Sequence, residues 1–156
     1  MLTLDLVRHG KALPSSPTGE AGRLLSSEGE AAVKGLAEAL AARGFHPDRL
    51  FASPLARARQ TALILASAAP APVKVETLAE LAPEHPPADV LQALEALGAT
   101  AGHLVLVGHM PQLGVLHALL TNTEANLAPG AMRRIECREG LELGGGQLVL
   151  ELQSGT

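Results

Sequence analysis

A chain of 156 residues has the size of one domain, and at that size folding buries about two thirds of the unfolded chain's surface, enough for a core that needs no staples. The composition is 47% hydrophobic with no Trp, no Tyr and two Phe, so the core must rest on Leu, Ala and Val, and the aromatic platforms that stack single-stranded bases are lacking. The net charge of -4 opposes a broad polyanion-binding role, the single cysteine excludes an intramolecular disulfide, and no apolar run approaches the ~20 residues that span a bilayer.

The chain opens with MLTLDLVRHG, too short and too polar for a signal peptide, and the expectation is a cytoplasmic protein without membrane or nucleic-acid partners. Residues 2–7 read as a first strand, ending at Arg8-His9-Gly10. Residues 10–23, GKALPSSPTGEAGR, are loop by their Gly, Pro and Ser content. Ser27, an N-cap candidate with Glu30 three residues on, opens an amphipathic helix to Arg43, ended by Gly44, with Leu36 and Leu40 facing a sheet. Residues 49–52 form a second strand, and Ser53-Pro54 starts the helix LARARQTALILASAA, closed by Pro70. A third strand near an edge follows at 73–76. Residues 82–87 are loop, 88–97 helix, 103–107 strand and 111–120 helix, and strands at 132–137 and 147–152 form a closing pair.

Strand and helix alternate through most of the chain, which predicts a three-layer α/β/α domain over residues 1–156, with a mostly parallel central sheet and antiparallel character from the C-terminal strand. Ligands in such sheets sit beyond the carboxyl ends of the strands. That rule gathers Arg8, His9, Arg57, Glu80 and His109 into one crevice.

His9 is the strongest candidate. A neutral imidazole attacks phosphorus, and neighbouring cations push its pKa toward the neutral form. Arg8 and Arg57 suit a phosphoryl group because guanidinium forks meet paired oxygens and stay charged, and Arg59, on the same helix as Arg57, is the natural control. Gly10 beside His9 permits close backbone approach or positive φ. His109, between Gly108 and Met110 where a strand gives way to a helix, could donate to a phosphoryl oxygen. Glu80, with Glu84, His85 and Asp89 following it in or beside a proline-bearing loop, is the candidate general acid. His46, His103 and His117 read as structural, Asp5 as a buried partner and Cys137 as a half-buried strand residue. No His-x-x-x-His, Cys-x-x-Cys or phosphate-loop motif occurs, so neither a metal nor a cofactor is expected.

Three separated motifs, LVRHG, SPLARARQTA and VGHMP, resemble the histidine phosphatase superfamily, with its phosphoglycerate-mutase-like fold. The resemblance implies that His9 is the nucleophile that becomes phosphorylated and that Arg8, Arg57 and His109 bind the phosphoryl group, with no metal. The neighbouring positions Gly10, Arg23, Gly108 and Met110 are the expected substrate-binding residues. The short length, RLLSSEG at 23–29 and LAELAP at 78–83 are most similar to SixA-type phosphohistidine phosphatases. Larger relatives supply an acidic residue before a glycine-rich sequel, whereas this chain continues LAPEHPPAD. A phosphoramidate nitrogen, which can take its proton from solvent, tolerates a weak acid.

The expected partner is therefore a phosphorylated protein side chain, phosphohistidine first. The alternatives are a small phosphate ester cleaved by a phosphomonoesterase, a noncatalytic phosphate-binding module on the same scaffold, and a metal-dependent hydrolase. A mutase is disfavoured, because only the loop before Ser27 and residues 80–89 could enclose a site.

Overall fold

The computed structural model describes residues 1–153; the last three residues of the expected domain, 154–156, lie outside the described residues. Six strands, β1 (Leu2–Arg8), β2 (Arg49–Ala52), β3 (Val75–Thr77), β4 (Gly102–Gly108), β5 (Met132–Cys137) and β6 (Gly146–Leu152), form one sheet in the order β3-β2-β4-β1-β5-β6. The first four in that order are parallel, β5 runs antiparallel to β1, and β6 runs antiparallel to β5. The expected mixed sheet is present, with β3 at an edge.

Helices α1 (Ser27–Ala42) and α2 (Ala56–Ala66) cover one face; α3 (Pro87–Ala96) and α4 (Gln112–Thr121) cover the other. Alternation along β1 divides the core. Leu2, Leu4 and Leu6 pack with Val90, Leu94, Leu113 and Leu116, whereas Val7 packs with Val33, Leu36, Leu40 and Leu65. The chain thus leaves β1 for a helix on one face and leaves the adjacent β4 for a helix on the other. A crevice opens at that divergence.

The helix cap is Ser26, one residue earlier than expected: its side chain accepts the Gly29 amide at 3.0 Å. Ser26 also bonds the Lys11 carbonyl through its amide, at 2.9 Å, and its hydroxyl, at 3.1 Å, which moors the start of α1 to the chain just past His9. Gly29 explains how close this approach is, since a Cβ there would overlap the Lys11 carbonyl oxygen. Gly29→Ala should therefore lower stability by about 1–3 kcal/mol, read as a drop in Tm, because backbone rather than a flexible side chain stands in the way. An unchanged Tm would show that the two segments separate freely.

Asp5 is fully buried, as expected, but its partners come from neighbouring strands. Arg134 donates to both its oxygens, at 2.7 and 3.0 Å, and the His103 ring lies 2.7 Å from it. Cys137 is fully rather than half buried, and burial pushes its thiol pKa up, away from reactivity.

Candidate active site

The site begins with strand register. β1 and β4 lie side by side with Arg8 opposite Gly108, and the His9 amide continues the ladder by donating to the Gly108 carbonyl at 3.1 Å. The next residues along each strand are His9 and His109, whose rings stand 4.9 Å apart, centroid to centroid, tilted by 55°. They are 9% and 3% exposed.

The His9 ring is held by its own successor: Nδ1 lies 2.7 Å from the Gly10 carbonyl oxygen. A carbonyl only accepts, so Nδ1 carries the proton and Nε2 keeps its lone pair. Gly10 is fixed by its amide, which donates to Thr61 Oγ1 at 3.1 Å, while the Thr61 hydroxyl donates to the Arg57 carbonyl at 2.8 Å. Gly10 is needed for close packing rather than for positive φ, since a Cβ would stand 2.7 Å from Val33.

Arg57 lies in the first turn of α2 and is 6% exposed, whereas Arg59 points outward to Thr77 Oγ1 at 3.5 Å. Two residues along a helix turn by about 200°, so only one of the pair reaches the crevice. Arg57 Nε donates toward His9 Nε2 at 3.4 Å. A cation at a helix N-terminus opposes the helix dipole, and Glu20 offsets this, its carboxylate lying 3.1 Å from Arg57 Nη2 and its carbonyl accepting from Nη1 at 3.2 Å. Arg23 binds the same carboxylate at 3.1 Å and the Leu13 carbonyl at 2.6 Å. Arg8 donates to the Leu127 carbonyl at 3.0 Å, and its Nε is buried with no partner among the described residues.

These groups line a cavity of about 930 Å³ with Lys11, Glu84 and Met110. Of the expected site residues, Arg8, His9, Arg23, Arg57, His109 and Met110 line it. Gly10 and Gly108 act behind it through their carbonyls. Glu80 is not in the lining. It sits in a 3₁₀ turn (Ala79–Leu81) whose Leu81 is anchored in the core, and Gln112 ties the Glu80 and His85 carbonyls at 2.8 and 3.0 Å. Its Oε2 is buried without a partner among the described residues. The carboxylates at the cavity are Glu20 and Glu84. Ser53, Thr61, Glu20 and Gln112 escaped sequence reasoning; the first two sit inside the SPLARARQTA motif, which could have drawn attention to them, but nothing marks a loop Glu or a helix Gln.

Burial pushes the His9 pKa down to about 4, helped by Arg57, Arg8 and Arg23 and opposed by the bond to Gly10. Burial, then His9, Arg57 and Arg8, take His109 to about 3. Both rings are therefore neutral at pH 7, the form in which an imidazole nitrogen has a lone pair able to attack phosphorus. The unfolded chain takes up these protons near pH 6.5, ahead of the folded one, so their contribution to stability is complete above that pH and is lost as pH falls toward 4 for His9 and 3 for His109. In phosphate-free protein, NMR should show both rings still neutral at pH 6 while Tm falls steadily between pH 6.5 and 4; midpoints near 6.5 would contradict this electrostatic picture.

Among the described residues no cluster of three or more His, Cys, Asp or Glu side chains could hold a metal ion, and no helix is long and apolar enough to cross a membrane.

The chain resembles several solved structures over nearly all of its length. The protein histidine phosphatase SixA complexed with tungstate superposes with a TM-score of 0.85 at 24% identity, covering 97% of this chain and 96% of that one. A putative phosphohistidine phosphatase SixA from Nakamurella multipartitia gives 0.83 at 22% identity, covering 99% and 96%. A putative alpha-ribazole-5'-P phosphatase from Escherichia coli gives 0.74 at 18%, covering 99% and 98%. At these identities the likeness is one of fold. In sequence, an uncharacterized protein of Picosynechococcus sp. is 40% identical over 115 residues, which is 72% of this chain and 69% of that protein. The model of the histidine phosphatase superfamily, branch 1, matches residues 4–83, which contain the Arg8-His9-Gly10 and Arg57 segments. The chain belongs to the histidine phosphatase superfamily.

Proposed function

We propose that the protein is a metal-independent phosphatase that works through a phosphohistidine intermediate at His9 and acts on phosphohistidine carried by a protein. The observation that carries this reading is the state of the His9 ring: its Nδ1 proton is spent on Gly10, and its neutral Nε2 lies in a cavity lined by three guanidinium groups, those of Arg8, Arg23 and Arg57. Nε2 attacks phosphorus, an N–P bond forms as the bond to the leaving nitrogen or oxygen breaks, and the leaving atom keeps the electron pair and takes a proton. Water then cleaves the N–P bond, restoring the imidazole and releasing orthophosphate. Arg8, Arg57 and His109 hold the equatorial oxygens in both steps, and Arg23 and Met110 border the leaving group.

Two features favour a phosphoramidate on a protein. Exposed residues, Lys11, Glu20 and Glu84, form the cavity rim, which admits a side chain on a macromolecule. Glu80, the expected acid, is outside the lining, and a phosphoramidate needs an enzymic acid less than an ester does. One observation favours the second reading, a small-molecule phosphomonoesterase: Glu84 at the cavity could protonate an ester oxygen. The deciding experiment compares hydrolysis of a phosphohistidine protein, a small phosphoramidate and several phosphate esters, all with chelator present. Preference for the first two supports the proposal; ester preference that collapses in Glu84→Gln supports the phosphomonoesterase. Loss of all activity in chelator would overturn the metal-free mechanism, and no turnover of any substrate would leave a phosphate-binding module.

A further inference from the structure

Ser53 lies one residue past β2 and is 1% exposed. Its amide donates to the Val107 carbonyl at 3.0 Å, carrying the β2–β4 ladder one step further, and its hydroxyl oxygen is 2.8 Å from His109 Nε2. The same oxygen accepts the Leu55 amide at 3.2 Å, in the turn that leads into α2. An amide only donates, so among the described residues the one proton of the serine has a single hydrogen-bonded acceptor, the imidazole Nε2. With the proton on Nε2 instead, Ser53 Oγ would face two donors and its own buried O–H would have no acceptor among the described residues, an arrangement folded proteins avoid. A neutral imidazole carries one proton, and here it falls on Nδ1. That atom is buried and unpartnered among the described residues, in a ring that lines the cavity beside Arg8, His9 and Arg57.

We infer that Ser53 is a positioning residue that holds His109 in its Nδ1–H tautomer and so makes a neutral imidazole a hydrogen-bond donor to the phosphoryl group. Both histidines then carry their proton on Nδ1 and use it oppositely. His9 spends its Nδ1–H on the Gly10 carbonyl and keeps the Nε2 lone pair for phosphorus; His109 spends its lone pair on Ser53 and keeps an N–H for oxygen. A bare Nδ1 lone pair among anionic oxygens would repel them. The catalytic consequence rests on the phosphatase reading, whereas the location of the proton does not.

Two-bond ¹H–¹⁵N correlation spectra of histidine-labelled protein at pH 7, assigned with His109→Asn, read the tautomer directly. The expected result is a protonated Nδ1 and unprotonated Nε2 for His109 in the wild type and in Ser53→Thr, with Ser53→Ala moving proton density to Nε2. On a small phosphoramidate, Ser53→Ala should lower kcat by roughly tenfold to a hundredfold, up to the lower limit of what outright loss of a preorganised oxyanion donor costs, because the imidazole itself stays in place, and Ser53→Thr should stay within a few fold of wild type. A wild-type His109 protonated on Nε2, or a Ser53→Ala variant with unchanged tautomer and turnover, would overturn the assignment. Should Ser53→Ala fail to fold, the wild-type spectrum alone decides. Phosphate labelling of His9 reports separately on the nucleophile, so failure of the phosphatase reading and failure of the Ser53 inference give different results.

Discussion

His9→Ala is expected to abolish turnover, by at least about a thousandfold, and to remove the covalent phosphate label that wild-type protein acquires from a phosphoramidate. The label should be stable in alkali and labile in acid, as an N–P bond is, and should map to the peptide containing His9. The expectation follows from how the ring is held. Its Nδ1 is committed to Gly10, which is itself fixed by Thr61, so Nε2 is held in place without help from substrate. Its low pKa keeps that nitrogen unprotonated at pH 7. The other cavity-lining imidazole does not compete, because the lone pair of His109 lies against Ser53. The ring is 9% exposed, so its loss costs some packing, and activity must be compared at a temperature well below the Tm of the variant. Purified His9→Ala retaining activity within tenfold of wild type would refute the assignment.

Arg57→Ala should lower kcat by at least a hundredfold, roughly 3 kcal/mol of lost stabilisation where charge develops on the phosphoryl oxygens. Its effect on stability should be small, which separates it from an ordinary core substitution. Arg57 is a buried cation at a helix N-terminus, with its pKa lowered by burial and by Arg23, against the partial compensation of Glu20. Removing it relieves that unfavourable placement while opening a gap. Arg57→Met, which fills more of the gap, should hold Tm within a few degrees of wild type while losing as much activity. Arg59→Ala should leave both properties nearly unchanged, since that side chain is exposed and its bond to Thr77 Oγ1 is long, at 3.5 Å. Glu20 gives the converse case: its carboxylate occupies Arg57, one of the two guanidinium groups proposed to hold the phosphoryl group, so Glu20→Gln should tighten orthophosphate binding severalfold in calorimetry. A Tm lowered as far as activity in Arg57→Met would mean that Arg57 holds the fold rather than the phosphate.

Much of the architecture was legible because its signals are local. The apolar run of residues 2–7, the Ser-initiated helix with Leu36 and Leu40 inward, and the closing strand pair follow from side-chain periodicity and turn chemistry, which do not depend on distant parts of the chain. The exceptions were set by contacts between distant parts of the chain: the cap at Ser26 rather than Ser27 hinged on which of two adjacent serines packs against Lys11, 15 residues away in sequence. The pairing of Asp5 with Arg134 crosses 129 positions, and no spacing rule reaches that far.

By itself, the order of amino acids determined that strands alternate with helices and that a histidine flanked by arginine and glycine stands where such a sheet keeps its ligands. Residue type and spacing suffice for that, because they set hydrophobic faces and chemical capability. Only the folded chain decided which acidic groups reach the cavity, placing Glu20 and Glu84 there and Glu80 outside it, and which nitrogen of each imidazole is free. Those outcomes depend on single hydrogen bonds made by loops and strand ends brought together from dozens of residues apart, where a rotation of one side chain changes the partner without altering any pattern along the sequence.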